Sequence, residues 1–255
     1  MKHFEIGTFM RFVKEIIAGL SLILVGCGSS DFSETSGTPQ IEDVLLVING
    51  GNSTCRDAQF ASPTPVGMGM WDNFLKLRTK IATARDVNIN YVVSCYENSK
   101  STVHFVTSEA PDTVISLEYE GYLVELDRLA RERPIAKTFI TGHSYGGWLA
   151  LKTTLESNLS TTYLYSNDPI SRKTCSFSSP SGCTSAPTDI SKDHYAEIAE
   201  KTDSWENYYQ TQTWYLHSSK ISQADKNVKV GTSHTSIDDH EPFWTSFGDR
   251  IIAFL

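Results

Sequence analysis

A serine between two glycines is the feature of this chain best suited to covalent chemistry. Residues 142–146 read Gly-His-Ser-Tyr-Gly; they follow an apolar run at 137–141 and precede a helical pattern that reaches Leu155. On a sharp strand-to-helix turn, the Ser144 hydroxyl would be exposed, and the positive N-terminal end of the helix would face it. Glycines are expected on both sides because strand and helix nearly touch there. The pattern predicts a nucleophilic serine.

A serine hydroxyl becomes a good nucleophile when a base takes its proton, and histidine usually serves because it titrates near neutral pH. His234 lies in a loop between the last strand-like run and the C-terminal helix. This position resembles that of the catalytic histidine in α/β-hydrolases, which implies that His234 is the base. His240 and His217 stay open as alternatives. His194 is expected inside a helix.

An acid is needed to hold the histidine in the right tautomer. Asp168 directly follows the apolar run 163–166 and precedes a proline, and it is the preferred candidate. Asp225 is the alternative acid, several residues beyond the run 213–217. A turn-forming role is the other explanation for an Asp-Pro pair.

No metal or organic cofactor is expected. Residues 234–240 hold two histidines and two aspartates, but no other spacing in the chain supports a metal site.

The segment 142–147 resembles the nucleophile elbow of the α/β-hydrolase superfamily, especially its lipases and esterases. The resemblance implies a mostly parallel sheet with helices on both faces and a triad in the order Ser, Asp or Glu, His. The position of Asp168 resembles that of the acid in pancreatic-type lipases. Asn49-Gly50-Gly51-Asn52 resembles the His-Gly-Gly loop of esterases. Gly51 or Asn52 is therefore expected to complete an oxyanion hole with the N–H of Tyr145; a plain Gly-rich turn is the alternative.

The resemblance implies hydrolysis of a small-molecule or lipid carboxylic ester. A peptidase or amidase on the same scaffold, and a non-catalytic surface-binding protein, are the alternatives. The absence of a long apolar lid segment favours short-chain or soluble esters. Five aromatic residues could line a substrate pocket or simply pack in the core: Trp205, Tyr208, Tyr209, Trp214 and Tyr215.

Alternating strand and helix patterns indicate an α/β fold with a parallel sheet. Strands are predicted at 43–49, 89–95, 137–141, 162–166 and 213–217, with an extra or edge strand at 103–107. Helices are predicted at 70–84, 117–133, 148–155, 190–201 and 242–255. The elbow then lies at the C-terminal end of its strand, where such sheets bind ligands.

The first 26 residues are predicted to be a lipoprotein signal peptide. Arg11 and Lys14 precede a ten-residue apolar run that is too short to span a bilayer. Residues 24–27, Leu-Val-Gly-Cys, resemble the bacterial lipobox, which implies a lipid on Cys27. An ordinary signal peptide is the alternative, and Met10 is an alternative start.

Residues 27–40 are predicted to form a flexible tether and 41–255 the hydrolase domain. Gly28 after the cysteine resembles the pattern of lipoproteins sent to the outer membrane. We expect an exported protein, lipid-anchored to a bacterial membrane at the outer membrane or cell surface.

The other four cysteines agree with export, because an even number outside the cytoplasm indicates disulfides. Cys175 and Cys183 bracket a turn-rich loop, and Cys55 and Cys95 both follow strands that could be neighbours, so these two pairings are predicted. The net charge of −8 and the absence of a basic run argue against nucleic-acid binding.

Overall fold

Eight strands form one sheet in the computed structural model, which describes residues 42–51, 68–97, 101–171, 173–175 and 183–255. The strands are β1 (Glu42–Gly50), β2 (Val87–Glu97), β3 (Thr102–Thr107), β4 (Ala110–Glu118), β5 (Ile135–His143), β6 (Thr161–Asn167), β7 (Thr202–Gln210) and β8 (Lys226–Val230). The helices are α1 (Met68–Ala84), α2 (Tyr119–Glu132), α3 (Tyr145–Glu156), α4 (Lys192–Glu200) and α5 (Glu241–Phe254). One 3₁₀ turn spans His234–Ser236.

The strand order in the sheet is β4-β3-β2-β1-β5-β6-β7-β8. Neighbouring strands in the series β2-β1-β5-β6-β7-β8 pair in parallel. Beside β2, strands β3 and β4 add an antiparallel edge. The parallel strands end at one edge of the sheet. The residues that follow β1, β5, β6 and β8 are therefore brought to the same edge, where open α/β sheets bind ligands.

Alternate residues of the central strand β1 enter two separate cores. Val44, Leu46 and Ile48 pack with side chains of α1 and α5, whereas Leu45 and Val47 pack with side chains of α2, α3 and α4. A strand buried on both faces reads as a continuous apolar run because neither face meets water. The predicted α/β fold class, with helices on both faces of a mostly parallel sheet, is confirmed.

Two element predictions are wrong. Residues 213–217 are not a strand but part of the turn that follows β7, and the strand at this position is the more polar Thr202–Gln210. The charged helix begins at Tyr119 instead of Leu117, because residues 110–118 form the edge strand β4. The extra strand at 103–107 is confirmed as β3.

One disulfide joins Cys175 and Cys183, as predicted. Cys55 lies outside the described residues, so its pairing with Cys95 stays a prediction. Residues 1–40, with the predicted signal peptide, Cys27 and the tether, also lie outside them. Within the described ranges, no helix is long and apolar enough to cross a bilayer.

Candidate active site

Ser144 lies on a sharp turn between β5 and α3, with φ of 59° and ψ of −124°. Residues other than glycine rarely adopt a positive φ, because it strains the backbone, and such backbone strain is concentrated at functional sites. The turn is fixed on both sides: the Ser144 N–H donates to the carbonyl oxygen of Asn167 (3.2 Å), and its carbonyl accepts from the N–H of Trp148 (3.1 Å). The serine is thereby held at the C-terminal edge of the sheet and the N-terminus of a helix.

The glycines of the elbow are required by backbone contacts. A Cβ on Gly142 would lie 2.1 Å from the carbonyl oxygen of Gly146, and a Cβ on Gly146 would lie 2.2 Å from that of Asn49. Neither backbone oxygen can move aside without displacing a strand or a helix. The expected clash at both glycines is confirmed.

His234 connects the serine to the acid. Its Nε2 lies 2.9 Å from Ser144 Oγ, and its Nδ1 lies 2.7 Å from Oδ2 of Asp168. An ionised carboxylate only accepts hydrogen bonds, so Nδ1 carries the proton and Nε2 is left to accept from the serine hydroxyl. The structure brings together the three residues that the sequence proposed for the triad, in the arrangement that general-base activation of a serine requires.

Asp168 is fully buried and also has a positive φ, of 43°. Besides His234, its carboxylate accepts hydrogen bonds from the Nε2 and backbone N–H of Gln210 (2.8 and 3.3 Å) and from the N–H of Ser218 (2.7 Å). Burial by itself raises the pKa of this carboxyl, but the hydrogen bonds and the charge of His234 outweigh it and hold the pKa below its usual value. Asp168 is therefore ionised at neutral pH.

Gln210 is a residue of the site that the sequence did not identify. It ends β7 and is fully buried. Its Nε2 donates to Asp168 and to the carbonyl oxygen of Leu216, and its Oε1 accepts from the N–H groups of Gln212 and Thr213. It therefore braces both the acid and the turn 211–218. No local motif predicts such a residue, because its partners lie directly after another strand and in a turn.

The candidate oxyanion hole lies beside the nucleophile. A Cβ on Gly51 would approach Ser144 Cβ to 3.1 Å and Ser144 Oγ to 3.4 Å, so this glycine lies directly against the serine. The N–H of Tyr145 lies in the first turn of α3, which contributes a positive dipole end. Gly51 thus lies next to Ser144, its role as an oxyanion donor stays a prediction, and Asn52 lies outside the described residues.

Asn49 anchors the loop that carries Gly51. It is fully buried, its Nδ2 donates to the carbonyl oxygen of Thr141 (3.2 Å), and its Oδ1 accepts from Ser94 Oγ (2.6 Å) and Tyr122 Oη (3.1 Å). These bonds tie the end of β1 to β2, β5 and α2. Sequence reasoning assigned Asn49 only a position in the loop that resembles the His-Gly-Gly loop of esterases.

His143, beside the nucleophile, is a second histidine at the site. Its ring centroid lies 4.7 Å from that of His234, and its Nδ1 lies 3.7 Å from Oδ2 of Asp238. Two causes lower the pKa of His143 to about 4: the larger is burial, and the smaller is the nearby His234. The ring is therefore neutral at pH 7. A neutral ring avoids charge repulsion against the proposed base.

The alternative residues make other contacts. Asp225 accepts a hydrogen bond from the N–H of Trp205 (2.7 Å) instead of binding His234. The Nδ1 of His217 contacts the carbonyl oxygen of Ser218, His240 precedes α5, and His194 lies in α4, as expected. Across the described ranges, no group of three or more His, Cys, Asp or Glu side chains could hold a metal ion.

The five aromatic residues divide into two groups. Trp205 and Tyr208 are buried in the core, and Tyr209 is partly buried in β7. Trp214 and Tyr215 are exposed on the turn after β7. The first group thus packs within the protein, and the second faces solvent beside the site.

The mostly parallel sheet, the strand-serine-helix elbow and the histidine after the last strand define the α/β-hydrolase fold. No family model matches the chain, and no curated protein matches it at a significant level.

Solved structures of low sequence identity resemble the chain. A protein described as a predicted CIB-like hydrolase from Thermoplasma acidophilum is 13% identical, with a TM-score of 0.45 over 82% of this chain and 86% of that one. The esterase Pf2001 of Pyrococcus furiosus is 9% identical, with a TM-score of 0.46 over 84% and 81%. A proline iminopeptidase of Mycobacterium smegmatis is 11% identical, with a TM-score of 0.38 over 83% and 88%. The fold assignment rests on the sheet and the elbow and not on these likenesses.

Proposed function

We propose that this protein is a serine hydrolase that cleaves carboxylic esters through Ser144, His234 and Asp168. The observation that carries the proposal is the continuous pair of hydrogen bonds from Ser144 Oγ through His234 to Asp168. The serine at their end lies on a backbone turn with positive φ, as a nucleophile elbow requires. The substrate class is a small-molecule or lipid ester.

In the proposed first half-reaction, Ser144 Oγ attacks the ester carbonyl while His234 Nε2 takes the hydroxyl proton. The carbonyl oxygen becomes an oxyanion, which accepts from the N–H groups of Tyr145 and Gly51. The bond between the carbonyl carbon and the alcohol oxygen then breaks, and His234 gives its proton to the departing alcohol. Asp168 keeps Nδ1 protonated and stabilises the transient imidazolium.

Water completes the proposed cycle. His234 takes a proton from water, the resulting hydroxide attacks the acyl carbon, and the bond to Ser144 Oγ breaks as the proton returns to the serine. The acid is released, and the site is restored. Each proton is taken and returned by His234. Hydrolysis changes no oxidation state, so the reaction needs no oxidant or reductant.

The test is labelling of the full-length, detergent-solubilised protein with a fluorophosphonate probe, beside Ser144→Ala as the matched control. We expect labelling of the native chain alone, and hydrolysis of p-nitrophenyl acetate that is lost in the variant. A folded, disulfide-intact protein that does not label would overturn the proposal and favour a binding role. Labelling with amide cleavage faster than ester cleavage would replace the esterase with a peptidase or amidase.

We also propose that the chain is exported and anchored to a bacterial membrane by lipid on Cys27. The support is the lipobox-like sequence 24–27 after an apolar run. Two or three acyl chains would make a firm anchor, whereas one would be marginal. Cys27→Ser is expected to move the protein from the membrane fraction to the soluble fraction. Unchanged membrane association of this variant would refute the anchor.

A further inference from the structure

The turn after β7 presents two large aromatic side chains to solvent. Trp214 is 81% exposed and Tyr215 49% exposed, and their rings meet edge to face with centroids 5.3 Å apart. Trp214 is the most exposed of the large apolar side chains in the described ranges. Two adjacent exposed aromatic rings are a feature of binding surfaces more than of ordinary protein surface.

The turn that carries these rings is held rigidly by the site. Gln210 Oε1 accepts from the N–H groups of Gln212 (2.7 Å) and Thr213 (2.9 Å). Gln210 Nε2 donates to the carbonyl oxygen of Leu216 (2.8 Å) and also to Asp168. The backbone on both sides of Trp214 and Tyr215 is thereby hydrogen-bonded to Gln210, so little backbone order has to be gained when a ligand binds.

The same turn contacts the proposed base directly. The Thr213 hydroxyl accepts a hydrogen bond from the N–H of His234 at 3.0 Å. Trp214 directly follows Thr213, which binds the backbone of His234. Thr213 and Trp214 thus lie on the side of the site that His234 occupies, called the histidine side. Gly51 and the N-terminus of α3 lie on the other side, called the oxyanion side.

The chemistry assigns a substrate group to the histidine side. His234 Nε2 must reach the oxygen of the departing alcohol to give it a proton, so the alcohol portion of an ester lies next to this histidine. An apolar group on that alcohol would meet the exposed rings. Aromatic side chains bind such groups by area burial and by edge-to-face contacts.

We propose that Trp214 and Tyr215 bind the alcohol portion of the substrate and confer a preference for esters with large apolar or aromatic leaving groups. This inference rests on the proposed ester hydrolysis and deepens it. It gives the turn 211–218 two functions, since its backbone supports Asp168 and its side chains select the substrate.

The test is a series of acetate esters whose acyl group is constant and whose alcohol grows from methyl through hexyl to benzyl and 2-naphthyl. In the full-length protein, Trp214→Ala is expected to lower kcat/KM for the 2-naphthyl ester roughly tenfold and for the methyl ester less than twofold. Trp214→Phe, which keeps a ring, is expected to recover most of the loss. Val124→Ala, which truncates a side chain 65% exposed on α2, is the control and is expected to change nothing.

A second readout separates binding from structural damage. All these esters form the same acetyl-enzyme, which no longer holds the alcohol, so the deacylation rate should be equal in Trp214→Ala and the native protein. A displaced His234 would instead slow deacylation as well. Equal losses across the alcohol series, or slower deacylation, would overturn the inference.

The labelling experiment distinguishes this failure from failure of the proposed function. Native protein that does not label at Ser144 would overturn ester hydrolysis itself. Native protein that labels and turns over, yet shows no dependence of the Trp214→Ala effect on the alcohol, would overturn only the role of the aromatic pair.

Discussion

Asp168→Asn is expected to abolish most of the activity by reversing the tautomer of His234. Four N–H groups point at the Asp168 carboxylate, and two of them, from Ser218 and Gln210, are backbone donors to Oδ1. Backbone donors cannot turn away, so the amide oxygen of asparagine must stay at this position. The amide NH₂ then faces His234, and the imidazole keeps its contact only by accepting at Nδ1 and carrying its proton on Nε2.

A protonated Nε2 cannot accept the proton of Ser144. The variant also loses the attraction between the imidazolium and the carboxylate in the transition state. For charge centres about 4 Å apart at an effective dielectric constant of 20, this attraction is roughly 4 kcal/mol, or about a thousandfold in rate. With the tautomer change added, we expect kcat/KM to fall by about 10³–10⁴.

The assay is hydrolysis of p-nitrophenyl acetate, with circular dichroism as a check of folding. Asp225→Asn is the matched control, because Asp225 was the alternative acid and instead accepts from the N–H of Trp205. We expect the control to keep activity within about threefold of the native protein. A folded Asp168→Asn protein with more than a tenth of native activity, or an equal loss in the Asp225 variant, would refute the assignment.

Three further predictions concern stability. Gly142→Ala should lower the free energy of unfolding by more than about 3 kcal/mol, because its Cβ meets a backbone oxygen, whereas Gly231→Ala, with open space, should cost under about 1 kcal/mol; thermal melts compare them. Folding lowers the pKa of His143 from 6.5 to about 4, so its contribution to the free energy of unfolding is complete above pH 6.5 and is lost toward pH 4, by about 3 kcal/mol. His143→Gln should flatten this pH dependence of stability, measured by urea titrations across that window. Replacing Cys175 and Cys183 by serine should cost about 2–3 kcal/mol in the same titrations, and no change would contradict the entropic estimate.

The parts of the fold that depend on local patterns could be predicted from the sequence. The buried strand β1 is a continuous apolar run, and the elbow needs glycines that only a strand-helix contact explains. Asp168 could be placed because it follows a strand at once. Its contact with His234 joins residues 66 positions apart, and that geometry needed the structure.

The errors arose where tertiary partners decide. In β7, Glu206 is buried because Lys226 and Arg250 neutralise it, and Asn207 because Ser166 and Asn227 bond to it. Neither set of partners is visible locally, so β7 reads as too polar for an interior strand. The aromatic run 213–217 reads as a strand, but two of its rings point to solvent.

The backbone contacts at the elbow also determine where this fold can tolerate substitutions. A Cβ added to a third glycine, Gly147, would lie 2.9 Å from Pro169 Cα, so the elbow has no spare volume on the side of β6 either. Random mutagenesis would find almost every substitution at these positions deleterious. Gln212 and Thr213 contact the site through backbone N–H groups and one hydroxyl, whereas the side chains of the next two residues, Trp214 and Tyr215, are exposed. A library confined to these two positions would therefore test the proposed substrate preference while keeping the hydrogen bonds among Ser144, His234 and Asp168.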